Sequence, residues 1–240
     1  MNRGVFYFLI AVAIVGVIGG AALLASLYYQ SSGEASAPIQ AQALSLEGEG
    51  NTAASGDRRL FRISQADSQV RFELDEQLMG APKHVVGTTN QVAGDIIIDF
   101  SNPANSEIGM IRVNARTLAT DNDFRNRALR LTILQSSQDA YEFIEFTPTT
   151  LEGLPTSGEV GQSYEFTITG DLKIRDIVRP VTFQARVTLT EDGRLEGTAE
   201  TTVMRSDFGL QIPEVPNVAN VTEEVLLGID FVALEIAAEN

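Results

Sequence analysis

Four stretches of this chain alternate hydrophobic and polar residues, and this period of two constrains the fold more than any other feature. The alternating stretches cover residues 95–100, 164–172, 181–189 and 225–231. Successive side chains of a β-strand point to opposite faces, so the pattern predicts half-buried strands. Asp99, Asp171 and Asp230 fall on the polar faces, and we expect them to face solvent.

Other segments complete a β-rich domain with a single helix. Further strands are predicted over residues 60–64, 70–75, 108–115, 141–147 and 194–203. One helix is predicted over residues 122–135, because residues 120–123 supply side chains that cap a helix N-terminus. About eight antiparallel strands with one short helix predict an all-β fold closed into a barrel, since closure removes exposed strand edges.

Small residues fall on the predicted inward faces of this barrel. They are Gly170, Ala185, Gly197 and Ala199. Small inward side chains leave volume inside, and a barrel of about eight strands either fills with side chains or holds one small ligand. The pattern alone leaves both outcomes open.

The first thirty residues are a separate unit. Residues 5–29 carry no charge, and a helix of 25 residues is about 37 Å long, enough to cross a bilayer. We predict a transmembrane signal anchor over residues 1–30, with a cleaved signal peptide as the alternative. Arg3 precedes the stretch and acidic residues follow it, so the positive-inside rule places the remaining chain outside the cytoplasm, at a single-pass cell membrane location.

The next segment separates this anchor from the barrel domain, which we assign to residues 58–240. Residues 31–57 are rich in Ser, Gly, Ala, Gln and Glu and show no hydrophobic period. We predict a flexible acidic linker there. A free chain of 27 residues has an end-to-end distance of about 29 Å, which keeps the domain close to the membrane.

Composition excludes several classes of function. The chain has a net charge of −15, which argues against a nucleic-acid partner. It has no cysteine and one histidine, His84. Thiolate metal sites, disulfides, cysteine nucleophiles and histidine relays therefore have no adequate donors. We predict no catalytic residues, no metal site and no cofactor, and hence a protein that is not an enzyme.

Several motifs resemble the YceI-like family. Arg205-Ser206-Asp207-Phe208-Gly209 matches one family motif residue for residue, and the run from Ile168 to Val181 matches another. Weaker matches cover residues 61–74, 87–100, 118–125 and 141–146. The resemblance spans about residues 61–236 and implies a lipocalin-like barrel associated with polyisoprenoid binding.

This chain departs from the family pattern at three places. Residues 75–77 stand where the family has a histidine, and residues 125–129 replace its helical R-D-x-H-L motif with Arg-Asn-Arg-Ala-Leu. Asp176 replaces a glycine of the longest run. These departures predict a divergent, membrane-anchored member of the family whose head-group contacts differ from those of its relatives.

Two sets of candidate ligand contacts follow. The barrel lining is predicted from inward apolar residues, namely Ile96, Ile98, Phe166, Ile168, Phe183 and Val187. Five arginines concentrate within 19 positions, namely Arg112, Arg116, Arg125, Arg127 and Arg130. One guanidinium group can donate two parallel hydrogen bonds to the oxygens of a phosphate. These residues are therefore candidates for a collar around a lipid head group. A solvated helix face paired with nearby acids is the alternative.

Two smaller features have structural interpretations. Within the motif at 205–209, Asp207 is expected to cap a turn, Phe208 to close one barrel end and Gly209 to adopt a positive φ. His84 follows Gly80-Ala81-Pro82, and we expect it to lie in a surface loop.

The sequence supports two functional hypotheses. In the first, the protein is a non-catalytic carrier that sequesters an amphiphilic lipid, such as a polyisoprenoid or quinone, in the extracytoplasmic envelope. The resemblance supplies the class of ligand. In the second, the barrel is packed and ligand-free, and its acidic surface serves an envelope interaction or stress response. The oligomeric state stays open, a homodimer included.

Overall fold

The computed structural model describes residues 33–46 and 58–236, which form thirteen strands and one α-helix. The strands are β1 (Arg58–Ile63), β2 (Gln69–Leu78), β3 (Ala81–Thr89), β4 (Val92–Ala93), β5 (Asp95–Asp99), β6 (Glu107–Ile108), β7 (Ile111–Asn114), β8 (Phe143–Glu152), β9 (Ser163–Ile174), β10 (Ile177–Leu189), β11 (Arg194–Met204), β12 (Val218–Ala219) and β13 (Glu224–Glu235). The helix is α1 (Asp123–Ala128), continued by a π-helical turn at Leu129–Ile133.

All strand pairs are antiparallel, and the sheet curls on itself. Hydrogen-bonded neighbours follow the order β4-β7-β8-β9-β10-β11-β13-β1-β5-β6, and β2 pairs with β3, β12 and β13. β4 and β6 are the two ends of this order. Gly94 alone connects β4 to β5, and two residues connect β6 to β7, so each end strand is joined to a strand near the opposite end of the order. The all-β prediction is confirmed, and the curled sheet is consistent with a lipocalin-like barrel.

There are more strands than the predicted eight or nine because β3, β4 and β12 were not predicted, and the segment predicted as one strand at 108–115 is divided into β6 and β7. β1 and β2 both pair with β13, β1 through Leu234 and β2 through Leu226. They therefore lie end to end along the same neighbour, interrupted by the turn in which Asp67 N donates to Ser64 O. The separate strands predicted at 60–64 and 70–75 anticipated this interruption.

Helix α1 covers one end of the curled sheet. The side chain of Asn122 accepts a hydrogen bond from Arg125 N at 3.0 Å, which caps the helix as predicted. Leu129 and Ile133, four residues apart on one face, pack with Leu172, Ile174 and the ring of Phe208. The β9–β10 turn lies at the same end, because its Arg175 donates to Ile133 O. We call this end of the sheet the α1 end.

Residues 33–46 lie against the outer face of the sheet, and we call them the strap. Ile39 is buried at 4% exposure, and its carbonyl accepts from Gln65. Ser36 donates twice to Glu142, and Leu44 N donates to Asp95 at 3.1 Å. The strap falls in the segment predicted as a flexible linker, and these contacts hold it to the domain. Residues 31–32 and 47–57 of that prediction lie outside the described residues.

The predicted transmembrane anchor at 1–30 also lies outside the described residues. In the part of the chain that the structure covers, no helix has the length and apolar character needed to cross a membrane.

Candidate functional site

An apolar cavity of about 700 Å³ runs through the interior of the curled sheet. All six residues predicted as barrel lining lie on its wall: Ile96, Ile98, Phe166, Ile168, Phe183 and Val187. The rings of Phe146 and Phe183 meet edge to face there, with centroids 4.9 Å apart. The period-two pattern therefore located the wall, because alternation sends every second side chain inward.

The small inward residues have two different roles. Ala185 and Ala199 face the cavity and help to leave it open. At Gly170 and Gly197 the neighbouring space is filled by the rings of Phe146 and Phe231, and a Cβ at either glycine would lie within 2.8 Å of ring atoms. Half of the small residues thus accommodate aromatic rings from the next strand.

The cavity wall reaches both ends of the sheet. At the α1 end it includes Phe124 and Val215, whose side chains are exposed and form part of its rim. At the opposite end it includes Leu154 and Tyr164. The α1 end therefore carries exposed rim residues, and it also carries the charged groups described next.

A charged pair lies on the wall at the α1 end. Arg125 Nη2 on α1 donates to Glu76 Oε1 on β2 at 2.5 Å, and its Nη1 donates to Asp121 at 2.8 Å. Glu76 is only 7% exposed. Sequence reasoning missed Glu76. Every second residue of β2 faces the cavity, including Phe72, Leu74 and Leu78, and the same alternation would have identified Glu76 as inward.

The five predicted head-group arginines do not form one collar. Of them, only Arg125 lies on the cavity wall. Arg112 extends from β7 across the outer face, where it pairs with Glu145 at 2.6 Å and donates to Gln40 of the strap. The guanidinium of Arg112 also lies over the ring of Phe143. Arg112 lies on β7, Arg116 on a 3₁₀ turn and the other three arginines on the helical segment, so clustering in sequence did not become clustering in space.

Arg116 is a structural residue. Its side chain is 4% exposed and lies between Glu142 at 3.0 Å and Asp139 at 2.5 Å. It also donates to Glu34 of the strap and to Ser136 O. This buried network holds the strap to the domain, and it leaves no donor directed at the cavity.

Arg127 and Arg130 are exposed on the outer side of the helical segment. They line a shallow groove together with Phe124, Leu131 and Thr117. Leu118 and Phe124 line both this groove and the cavity, so the groove adjoins the cavity rim on its outer side. The predicted collar therefore divides into one cavity residue, two strap-binding residues and two residues on an outer groove.

The motif at 205–209 packs one side of the α1 end, with Phe208 and Gly209 as predicted, but its 3₁₀ turn has no side-chain cap and the expected cap by Asp207 is not formed. Phe208 is 1% exposed and packs against Leu129 and Ile174, and Gly209 has a φ of 61°. Arg205, which sequence reasoning did not assign to the cavity, lies on its wall and donates to the carbonyls of Leu210 and Thr222. It thereby braces the loop that carries Val215.

Two expectations about polar residues were wrong. Met79 and Gly80 both have positive φ and make a two-residue turn, so β3 begins at once and His84 lies on a strand instead of in a loop. Asp99 is buried instead of solvent-facing, because it ends β5 and accepts hydrogen bonds from Ser101 and Asn102. The Ser101 hydroxyl and then these amides hold the pKa of Asp99 below its usual value.

His84 lies on the outer face between two carboxylates. Its Nδ1 is 2.7 Å from Asp75, and its Nε2 is 3.1 Å from Glu73. The hydrogen bond to Asp75, followed by that to Glu73, raises the pKa of His84. Across residues 33–46 and 58–236, no group of three His, Asp or Glu residues is placed to hold a metal ion.

Comparisons with known proteins agree with this architecture. A family model described as the YceI-like domain matches residues 61–233. The fold is similar to Burkholderia cenocepacia BcnA, with a TM-score of 0.52 and 16% identity over 71% of this chain and 98% of that one. It is also similar to a polyisoprenoid binding domain from Saccharophagus degradans implicated in plant cell wall breakdown. There the TM-score is 0.56 and the identity 12%, over 74% of this chain and 99% of that one. A comparison with curated proteins finds no relative.

Proposed function

Because the chain belongs to the YceI-like domain family, we propose that it is a non-catalytic binding protein that carries an amphiphilic lipid of the cell envelope. In this proposal the apolar chain of the lipid occupies the interior of the curled sheet, which acts as a lipocalin-like barrel. The ligand class is a polyisoprenoid or quinone.

The observation that carries the proposal is the cavity itself. Its volume of about 700 Å³ falls in the range of sites that enclose small molecules, about 300–1,000 Å³. Its wall is formed predominantly by aliphatic and aromatic side chains. Each methylene group moved from water to such a wall contributes about 0.8 kcal/mol. The alternative of a fully packed barrel lacks this support, because it requires side chains to fill the same volume.

The polar end of the ligand would meet Arg125. Arg125 is on the wall at the α1 end, and Glu76 and Asp121 hold its guanidinium in place. A guanidinium donates in pairs to phosphate or carbonyl oxygens. Glu76 would repel a bound anion, so this pair favours a neutral or singly charged polar group over a diphosphate.

Placement in the envelope rests on the uncharged stretch at residues 5–29. As a transmembrane anchor it would hold the domain at a membrane that contains such lipids, with the domain outside the cytoplasm. The absence of a catalytic role is supported by the single histidine, which lies on the outer face and is paired with Asp75 and Glu73.

The experiment is lipid analysis of the full chain purified from a bacterial membrane. We expect solvent extraction and mass spectrometry to detect about one isoprenoid or quinone per protein. Ala185→Phe adds a ring to the cavity wall and should remove most of this lipid. Gln184→Phe adds the same ring to the exposed face of the same strand and should leave the lipid in place.

The proposal would be contradicted by a wild-type protein that retains no more isoprenoid or quinone than Ala185→Phe. Circular dichroism of both variants separates lost binding from lost folding.

A further inference from the structure

We infer that the α1 end of the domain rests on the lipid surface, so that the cavity rim faces the membrane. This inference rests on the proposed membrane anchor and adds an orientation to it. Four exposed apolar residues carry it, namely Met79, Phe124, Leu131 and Val215, and we call them the α1 rim. Phe124 is 86% exposed and Met79 is 80% exposed.

The residues of the α1 rim lie close to one another. Phe124 and Val215 both line the α1 end of the cavity. Met79 N donates to Asn217 O at 2.7 Å, which places Met79 beside the loop that carries Val215. Leu131 shares the outer groove with Phe124. Single exposed apolar residues are common, but a group of them around a cavity entrance indicates an interaction surface.

The strap supplies the reason to choose a lipid surface as the partner. Its first described residue, Gly33, lies beside the guanidinium of Arg116 and the carbonyl of Ser137, both at the α1 end. The strap then runs away from this end, to where Leu44 binds Asp95. The chain from residues 1–32 therefore joins the domain next to the α1 rim.

The distance from the uncharged stretch to this point is short. Between Tyr29 and Gly33 there are three residues, which span at most about 14 Å when fully extended. A free linker over residues 31–57 would allow about 29 Å on average. With the strap bound, an anchor ending near Tyr29 holds the α1 end at the membrane and keeps the opposite end away from it.

The charged residues nearest to the rim carry both signs, and the exposed acids among them include Asp123, which lines the same groove, and Glu214, which precedes Val215. Arg127 and Arg130 border the groove that contains Phe124 and Leu131, as cations do beside apolar residues at a membrane interface. Asp121 is paired with Lys83 and Arg125, and Asp139 is paired with Arg116. An amphiphile could then pass between the bilayer and the cavity without its apolar chain crossing water.

The test measures the depth of single labels in vesicles. The chain has no cysteine, so Met79→Cys and Val160→Cys each provide one attachment site for an environment-sensitive fluorophore. Val160 is the matched control, because it is 59% exposed and precedes Gly161, whose amide bonds Leu189 O at the opposite end of β10. The labelled full chain is reconstituted into vesicles of phosphatidylethanolamine and phosphatidylglycerol that contain spin-labelled lipid.

We expect quenching by the spin label to be at least threefold stronger at position 79 than at position 160. Phe124→Ser, an exposed change, should reduce the quenching at position 79. Ile39→Asp should release the strap and bring the two positions closer to equal quenching. Equal quenching of the two labels in the parent protein would overturn the inference.

Two further measurements on the same samples separate this inference from the proposed function. Flotation of the protein with the vesicles tests the anchor, and extraction of bound lipid tests the carrier function. Failure to float overturns both the anchor and the inferred orientation. Flotation and bound lipid with equal quenching overturn the orientation alone.

Discussion

Glu76 and Arg125 form an ion pair across the α1 end of the cavity, with Glu76 Oε1 2.5 Å from Arg125 Nη2. One residue comes from β2 and the other from α1, 49 positions later in the chain. The pair therefore joins the helix to the sheet at the point where the proposed ligand would present its polar group.

This ion pair is expected to stabilise the fold measurably. Glu76→Gln should lower the free energy of unfolding by about 1–2 kcal/mol, because Arg125 retains Asp121 and partial solvent access. Arg125→Gln should cost more, about 2–4 kcal/mol, because it leaves the buried Glu76 carboxylate unpaired. A double-mutant cycle by chemical denaturation should give a coupling of at least 1 kcal/mol.

The exposed cross-strand pair of Arg186 and Glu165 is the control for this cycle. Its coupling should be about 0.5 kcal/mol or less, because solvent screens exposed charges. A coupling at Glu76 and Arg125 that is no larger than this control would contradict the structural role of the pair.

Ile39 is expected to hold the strap in place. Ile39→Ala removes the buried side chain of the strap and should weaken its docking by about 2 kcal/mol. Hydrogen exchange followed by mass spectrometry should show faster exchange in peptides that contain Ser36 and Leu44. Leu46→Ala, at a position that is 37% exposed, should leave the exchange of those peptides near that of the parent. Unchanged exchange in Ile39→Ala would show that other contacts hold the strap.

Phe208 is expected to stabilise the packing of α1 against the sheet. Phe208→Ala should lower the free energy of unfolding by about 3–5 kcal/mol, because the ring is fully buried against α1 and β9. Phe124→Ala is the matched control, and it should change stability by less than about 0.5 kcal/mol because Phe124 is exposed. Thermal and denaturant unfolding measure both values. A similar cost for the two substitutions would refute the assigned burial.

His84 is the one histidine of the chain, so its titration can be followed without overlap from other imidazoles. Hydrogen bonds to Asp75 and then Glu73 raise the pKa of His84, so its midpoint should lie above the ordinary value of about 6.5. Proton NMR of the one imidazole in the chain measures it directly. Asp75→Asn should lower the midpoint, and Glu73→Gln should lower it by a smaller amount. A midpoint at or below 6.5 in the parent would contradict the paired geometry.

The raised pKa of His84 also determines how its contribution to the free energy of unfolding changes with pH. A raised folded-state pKa means that the folded protein binds the proton more tightly than the unfolded chain does. The contribution of His84 is complete below the unfolded pKa and is lost as pH rises through the folded value.

Local patterns predicted most of the strands, the helix and the cavity wall, but they did not predict β3, β4 or β12. Alternation identified Ile168 and Phe183 as inward, because the geometry of a strand fixes the side on which every residue lies. The cap at Asn122 could also be predicted from sequence, because its hydrogen bond joins residues only three positions apart. His84 was misplaced because Gly80, Ala81 and Pro82 resemble an extended loop, whereas a two-residue turn at Met79 and Gly80 was enough.

By itself, the sequence determined the β class, the inward stripes, the cap of α1 and the positive φ of Gly209, because each depends on backbone geometry and near neighbours. Only the tertiary structure decided which charges meet. It separated Arg112 and Arg116 from Arg125, paired Arg125 with Glu76, and placed Ile39 of the strap in a buried position. Ion pairs and docked segments join residues far apart in the chain, and the curvature of the sheet and its register set those distances.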